Sequence, residues 1–202
     1  MYKQSGWMKS KALLASLLLV VGVTVGGTLA YIVAGSGPVE NEFTPSKVTT
    51  AVVESFDGTT KSDVKIRNTG DTTAYIRAAV VVTWQNEDGN VYGQKPVEKT
   101  DYDIEWNLNN GWKKAADGFY YWTSPVKSDD EDAQNCYTGV LIESCEPNDN
   151  NTAPKGYSLA VEIIGSGIQS VPTSVVAAEW SSGVSSVADD GALNIIKEGD
   201  AQ

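Results

Sequence analysis

Ala74-Tyr75-Ile76-Arg77-Ala78-Ala79-Val80-Val81-Val82-Thr83-Trp84 is the stretch whose reading decides how this chain folds. It is rich in β-branched and aromatic residues, which fit a pleated surface. Its apolar residues occupy both alternating sets of positions, the pattern of a central strand covered on two faces. Gly156 to Ile164 reads the same way. Outward from these runs the period becomes a clean two. Val64 and Ile66 alternate with Lys65 and Arg67, and Tyr102, Ile104, Trp106 and Leu108 alternate with Asp101, Asp103, Glu105 and Asn107. Each predicts a strand with one wet and one buried face. Phe119 to Thr123 is a further strand. Asp57-Gly58, Asn68-Thr69-Gly70-Asp71, Asp88-Gly89 and Asn110-Gly111 supply turns between the runs, because Gly and Asn tolerate positive φ. Short strands between frequent turns predict an all-β, antiparallel β-sandwich.

A short helix is expected at Ser174 to Trp180, with Ser174 as N-cap after Pro172, although Val175 and Val176 weaken it. The sandwich is placed at residues 47–181, and residues 182–202 read as a polar, loosely held tail. There is no internal repeat.

The first thirty residues belong to another class. Lys3, Lys9 and Lys11 precede an uncharged run, Ala12 to Val25, and then Gly26-Gly27-Thr28-Leu29-Ala30. A basic start, an apolar middle and small residues at Thr28 and Ala30 form a signal-peptide layout, a signal helix with cleavage expected between Ala30 and Tyr31. A second cut after Ala34 is the lesser alternative. An uncleaved anchor is the competing reading, since no charge lies between Ala12 and Val39 and about 20 apolar residues cross a bilayer. Residues 31–46 then form a leader to the sandwich.

The 202 residues carry a net charge of −11, and removal of the three early lysines makes it −14. With no Lys/Arg cluster to neutralise phosphates, nucleic acid is excluded as a partner. The absence of His removes the usual general base, the Ser-His-Asp and Cys-His arrangements and the H-E-x-x-H zinc site. No catalytic residue, metal site or cofactor is therefore assigned. Asn68-Thr69-Gly70 is like the Asp-Thr-Gly of aspartic proteases but begins with the wrong residue, and reads as a turn. Cys136 and Cys145, an even pair in an exported chain, read as a disulfide, with two reduced thiols as the competing state. Asp129-Asp130-Glu131-Asp132 and Asn148-Asp149-Asn150-Asn151 are dense in oxygen but lack the spacing of a calcium loop, so solvated loops are the better reading. Trp106, Trp112, Tyr120, Tyr121 and Trp122 would suit a sugar platform, or a sandwich core, which is preferred.

A family resemblance joins these pieces. Gly26-Gly27-Thr28-Leu29-Ala30-Tyr31 followed by Asn41-Glu42-Phe43-Thr44 resembles the start of TasA/camelysin-type proteins, which are exported through the signal peptidase SipW. Asn68-Thr69-Gly70, Ala74-Tyr75-Ile76-Arg77-Ala78, Tyr120-Tyr121-Trp122-Thr123-Ser124-Pro125-Val126, and Gly156 to Ile164 with Ile168-Gln169 and Trp180 are similar in the same order. The insertion around Cys136 to Asn151 and the tail after Ser181 match nothing in that pattern. The resemblance implies a jelly-roll sandwich and a fibre-forming protein of the biofilm matrix in Gram-positive bacteria, secreted or at the cell surface. It also implies strand donation from one subunit to the next. The donor strand is expected within Tyr31 to Val53, with Tyr31, Ile32, Val33, Val39 and Phe43 as candidate anchors. The competing reading is a flexible leader to a first strand at Lys47 to Ser55. The expected partners are other copies of the chain, the signal peptidase during export, and matrix polysaccharide or other matrix proteins. A monomeric surface module binding polysaccharide or calcium is the alternative. The proteolysis described for the camelysin branch gains no support from a chain without His.

Overall fold

Strand β3, Ala74–Gln85, carries the apolar run, and in the computed structural model, which describes residues 46–199, it lies between β6 (Tyr120–Val126) and β8 (Ser158–Gln169). Its antiparallel register with β8 is unbroken from Ala74 opposite Gln169 to Gln85 opposite Ser158. With β5 (Trp112–Lys114) the sheet has the order β5-β6-β3-β8. A second antiparallel sheet holds β1 (Thr50–Phe56), β2 (Lys61–Asn68), β7 (Ile142–Pro147) and β4 (Tyr102–Trp106) in the order β1-β2-β7-β4.

Period-two alternation assigns each side chain of β3 to one of two faces, and each face carries a core. Ile76 and Ala78, with Val80 and Val82 beside them, pack on Val64, Ile66, Ile104 and Ile142 of the opposite sheet. Full burial of each such aliphatic side chain stabilises the fold by roughly 1.5–3 kcal/mol. On the other face Tyr75 joins Tyr121, Val176, Trp180, Val184 and Leu193. The two-sided cover expected of β3 and β8 therefore holds at the Tyr75 end. It gives way toward the other end, where Val81 is 39% and Ile164 55% exposed.

The second core is closed by the C-terminal segment. Helix α1, Thr173–Glu179, begins one residue before the expected Ser174; Pro172 sits at the cap position and no side chain bonds the first turn. Residues 182–202, read as a loose polar tail, instead carry β9 (Val184–Val187) and β10 (Leu193–Ile195) as an antiparallel hairpin. Tyr75 Oη donates to Gly191 O at 2.7 Å and ties its turn to β3. The segment read as an insertion, Cys136 to Asn151, supplies β7, an interior strand flanked by β2 and β4. Its Ile142-Glu143-Ser144-Cys145 carries its two buried residues three apart. A register shift falls where β7 meets Glu105 and Trp106, and so no period of two is visible in its sequence.

Asn68-Thr69-Gly70 is a turn, and Asn68 is its scaffold. The fully buried side chain donates through Nδ2 to Thr72 O and Val126 O and accepts from Gly70 N through Oδ1. A Cβ on Gly70 would lie 2.2 Å from Lys47 O, so glycine alone lets the chain entering β1 pass this close. Replacing Asn68 by Ala strands buried backbone groups at about 1–3 kcal/mol each. Asn68→Ala is expected to lower unfolding stability by about 2–4 kcal/mol, read as a reduced urea midpoint at unchanged m-value.

Candidate functional site

Strand β8 is twelve residues long and sits at the edge of its sheet. Among the described residues β3 is its one ladder partner, so about half of its backbone N–H and C=O groups point away from any strand. Natural edges of this length are blunted with Lys, Pro or bulges. This one carries Glu162 as its single charge and no Pro.

Across the opening between the sheets lies the other edge, β1, running antiparallel to β8. At one end the two are in contact. A Cβ on Gly167 would come within 2.7 Å of Val48 Cγ1, and one on Gly165 within 3.1 Å of Thr50 Oγ1. Toward the other end the β1 register against β2 slips between Val53 and Ser55. There Glu54 and Phe56 stand off from Ser158, Leu159, Ala160 and Val161, and a cleft of about 390 Å³ opens. Volumes of about 300–1,000 Å³ are usual for ligand sites. Cys145 and Pro147 of β7 also line the cleft, with Lys61 and the Gly58-Thr59 turn. Phe56 is 63% exposed at its border. The rim is polar: Lys61 Nζ lies 2.7 Å from Glu54 Oε1, and Thr60 Oγ1 donates to Glu146 Oε2 at 3.5 Å. Apolar walls beside unpaired backbone can hold an extended peptide, satisfying its main chain at the edge and its side chains in the cleft.

The structure corrects the disulfide. Cys136 and Cys145 are both buried and free. Cys145 lies opposite Lys61 at the start of β2, whereas Cys136 O accepts from Asn68 N at its end. Seven residue steps of strand separate those positions by about 23 Å, far beyond the roughly 7 Å that a disulfide spans between Cα atoms. A strand pairing, invisible in the spacing of two cysteines, keeps them apart. The Cys136 thiol faces Ala133 O at 3.3 Å and Asp129 Oδ1 at 3.6 Å. Burial first, with Glu98 and Glu146 adding and Lys61 opposing, pushes the Cys145 thiol up to about 11.

The acidic loop is engaged by its own surroundings. Arg67 pairs with Asp129 and holds its carboxyl below the usual range. Glu131 accepts from Thr73 Oγ1 at 2.6 Å and from Ser128 N at 3.0 Å, and Asp132 from Asn135 Nδ2 at 2.8 Å. No group of three or more metal-ligating side chains occurs among the described residues. The aromatic residues fill the cores: Trp112, Tyr120 and Tyr121 are buried, Trp106 stacks on Tyr120 with centroids 4.5 Å apart, and Trp122 meets Trp112 edge-on at 5.8 Å. Ala30, Tyr31, Ile32, Val33, Val39 and Phe43 lie outside the described residues. The β1–β8 cleft was not foreseen from sequence; the sparse charge of Ser158–Gln169 was the one available signal. No family model, curated protein or solved structure matches this chain.

Two thiols, and no disulfide, give a direct expectation. Denatured, unreduced protein will take two maleimide groups at pH 8. In the native state Cys145 will react slowly at that pH and faster as the pH approaches 11, because its proton is retained above the ordinary thiol value. Unreduced, denatured protein that takes no label would restore the disulfide.

Proposed function

We propose that this chain is an exported structural subunit of an extracellular or biofilm matrix, that it assembles into fibres by strand donation, and that the β1–β8 cleft is where the donated strand enters. Its signal segment is cut after Ala30, and the freed leader of one copy extends the β8 edge of the next. The observation that carries this reading is the topology. From β2 onward, counting the β5-β6 hairpin as one unit, successive strands alternate between the two sheets. β1 breaks the alternation by joining β2 rather than taking the place beside β8. Put there, it would complete the interleaved order of a jelly roll. Among the described residues, then, no strand takes the place beside β8, and the likeness to TasA/camelysin-type proteins names the same kind of occupant.

Such an interface uses different surfaces on its two sides. It does not close on itself, and it propagates as a filament. The ladder bonds supply about 0.5–1.5 kcal/mol each, and apolar side chains entering the cleft add about 25 cal/mol per Å² buried. The high negative charge keeps subunits soluble until strands exchange. The signal peptidase acts on the chain once, during export, and matrix polysaccharide or other matrix proteins are its further partners. This role asks for no catalytic group and no cofactor.

Mature protein, residues 31–202, is expected to form filaments in a concentration series viewed by electron microscopy. Deletion of Tyr31 to Phe43 will leave monodisperse monomer with an unchanged far-UV CD spectrum. Filaments from the deletion variant would refute donation, and a persistent monomer that binds polysaccharide or calcium would favour the surface-module alternative.

A further inference from the structure

We infer that Phe56 is a plug for the β1–β8 cleft: in the unassembled subunit the tip of the β1-β2 hairpin closes toward β8 and seats this ring against Leu159 and Val161, and whatever enters the cleft must displace it. The inference rests on the strand-donation reading and adds a control to the site that reading uses.

The register aims Phe56 inward. It stands opposite Lys61, Lys61 opposite Cys145 and Cys145 opposite Ile104, in one row across the sheet. Residues opposite one another in an antiparallel ladder send their side chains to the same face, and in this row Cys145 and Ile104 belong to the main core. Phe56 is thus the outermost member of an interior-facing row. Its ring is nevertheless 63% exposed, at the border of a cleft of about 390 Å³ whose far wall runs from Ser158 to Val161. An exposed apolar ring and an apolar hollow lie side by side, and each leaves in water a surface that their union removes from it.

The hairpin tip is free to swing. Val48 and Thr50 lie against β8 at Gly167 and Gly165 and anchor the start of β1, but Glu54 to Thr59 are six consecutive exposed residues. They begin at the slip between Val53 and Ser55, where the ladder to β2 is interrupted. They end in a turn that holds its own shape, with Asp57 Oδ1 accepting from Thr59 N at 2.9 Å and from Thr60 N at 2.7 Å. The turn therefore travels as one piece. Thr60 Oγ1, donating to Glu146 Oε2 at 3.5 Å, ties it to β7, and the Lys61–Glu54 pair lies within the hairpin itself; exposed contacts of this kind restrain little. In the cleft Phe56 offers a ring and no backbone bonds, so the outward groups of β8 keep no ladder partner beneath it. An incoming strand supplies both and displaces the ring. Because the apparent affinity of a site falls with the fraction of molecules in which it is open, the plug holds free subunits apart at low concentration.

Phe56→Ala, placed in mature protein (residues 31–202) and in the Tyr31–Phe43 deletion, tests this with two readouts. Cys145 lines the cleft, so its native-state labelling by maleimide in the deletion variant reports whether the ring covers it. Removing the ring is expected to speed that labelling about fivefold or more, with the Cys136 rate and the far-UV CD spectrum unchanged. In mature protein the critical concentration for filaments, measured by sedimentation, is expected to fall about five- to tenfold, and Phe56→Leu is expected to lie between the alanine variant and wild type. If Phe56→Ala leaves Cys145 labelling as it was, the ring does not enter the cleft and the inference is wrong. If labelling speeds up but the critical concentration is unchanged or higher, Phe56 is a contact for the donated strand rather than a plug, and donation stands without it. If the deletion variant itself forms filaments, donation fails, and the inference with it.

Discussion

The twelve-residue ladder between β3 and β8 is the interaction on which the rest of this structure depends. It fixes which side chains of β3 face the sandwich and which face α1 and the β9-β10 hairpin, and a slip of one residue would exchange the two sets. The same ladder sets β8 along one edge of its sheet, its outer backbone groups without a ladder partner among the described residues. Core and candidate site are two consequences of one pairing.

Within that frame, small residues decide how near the two sheet edges approach. Gly165 and Gly167 let β1 lie against β8, and Gly70 lets the chain pass the Asn68 turn on its way into β1. The register slip at Val53 and Ser55 undoes this closeness farther along. The result is a seam shut at one end and open at the other. An uninterrupted β1 would close the seam more fully and leave an incoming strand less apolar surface to cover. Most core positions tolerate a change of shape at modest loss of stability, whereas a Cβ on Gly70 would meet backbone at 2.2 Å and one on Gly167 would meet the Val48 side chain at 2.7 Å.

Much of the fold was legible in local pattern. The apolar run of β3, the alternation of β4 and the end of β2, the β6 core and the Asn68 turn all declare themselves through period and turn chemistry. β7 did not, because its two buried residues, Ile142 and Cys145, stand three apart and acidic neighbours interrupt the pattern. The hairpin at 184–195 was missed because Val184 and Leu193 join a core cluster whose other members include Tyr121 and Tyr75, far outside any local window of sequence. The disulfide was drawn from cysteine count and compartment, and what excludes it is a strand pairing. The cleft was illegible for a related reason: a free edge is defined by the neighbour it lacks, and no window of sequence records that. The leader anchors rest on sequence and resemblance.

The central claim is that the β8 edge receives a strand from another copy. Amide hydrogen exchange of mature protein, compared between monomer and assembled material, addresses it at the residues concerned. The account requires that the amides of Ser158–Val161 that point away from β3 exchange readily in the monomer and become strongly protected on assembly, while β3, already paired on both sides, changes little. Assembled material in which β8 exchanges as in the monomer, with new protection confined to other surfaces, would contradict it.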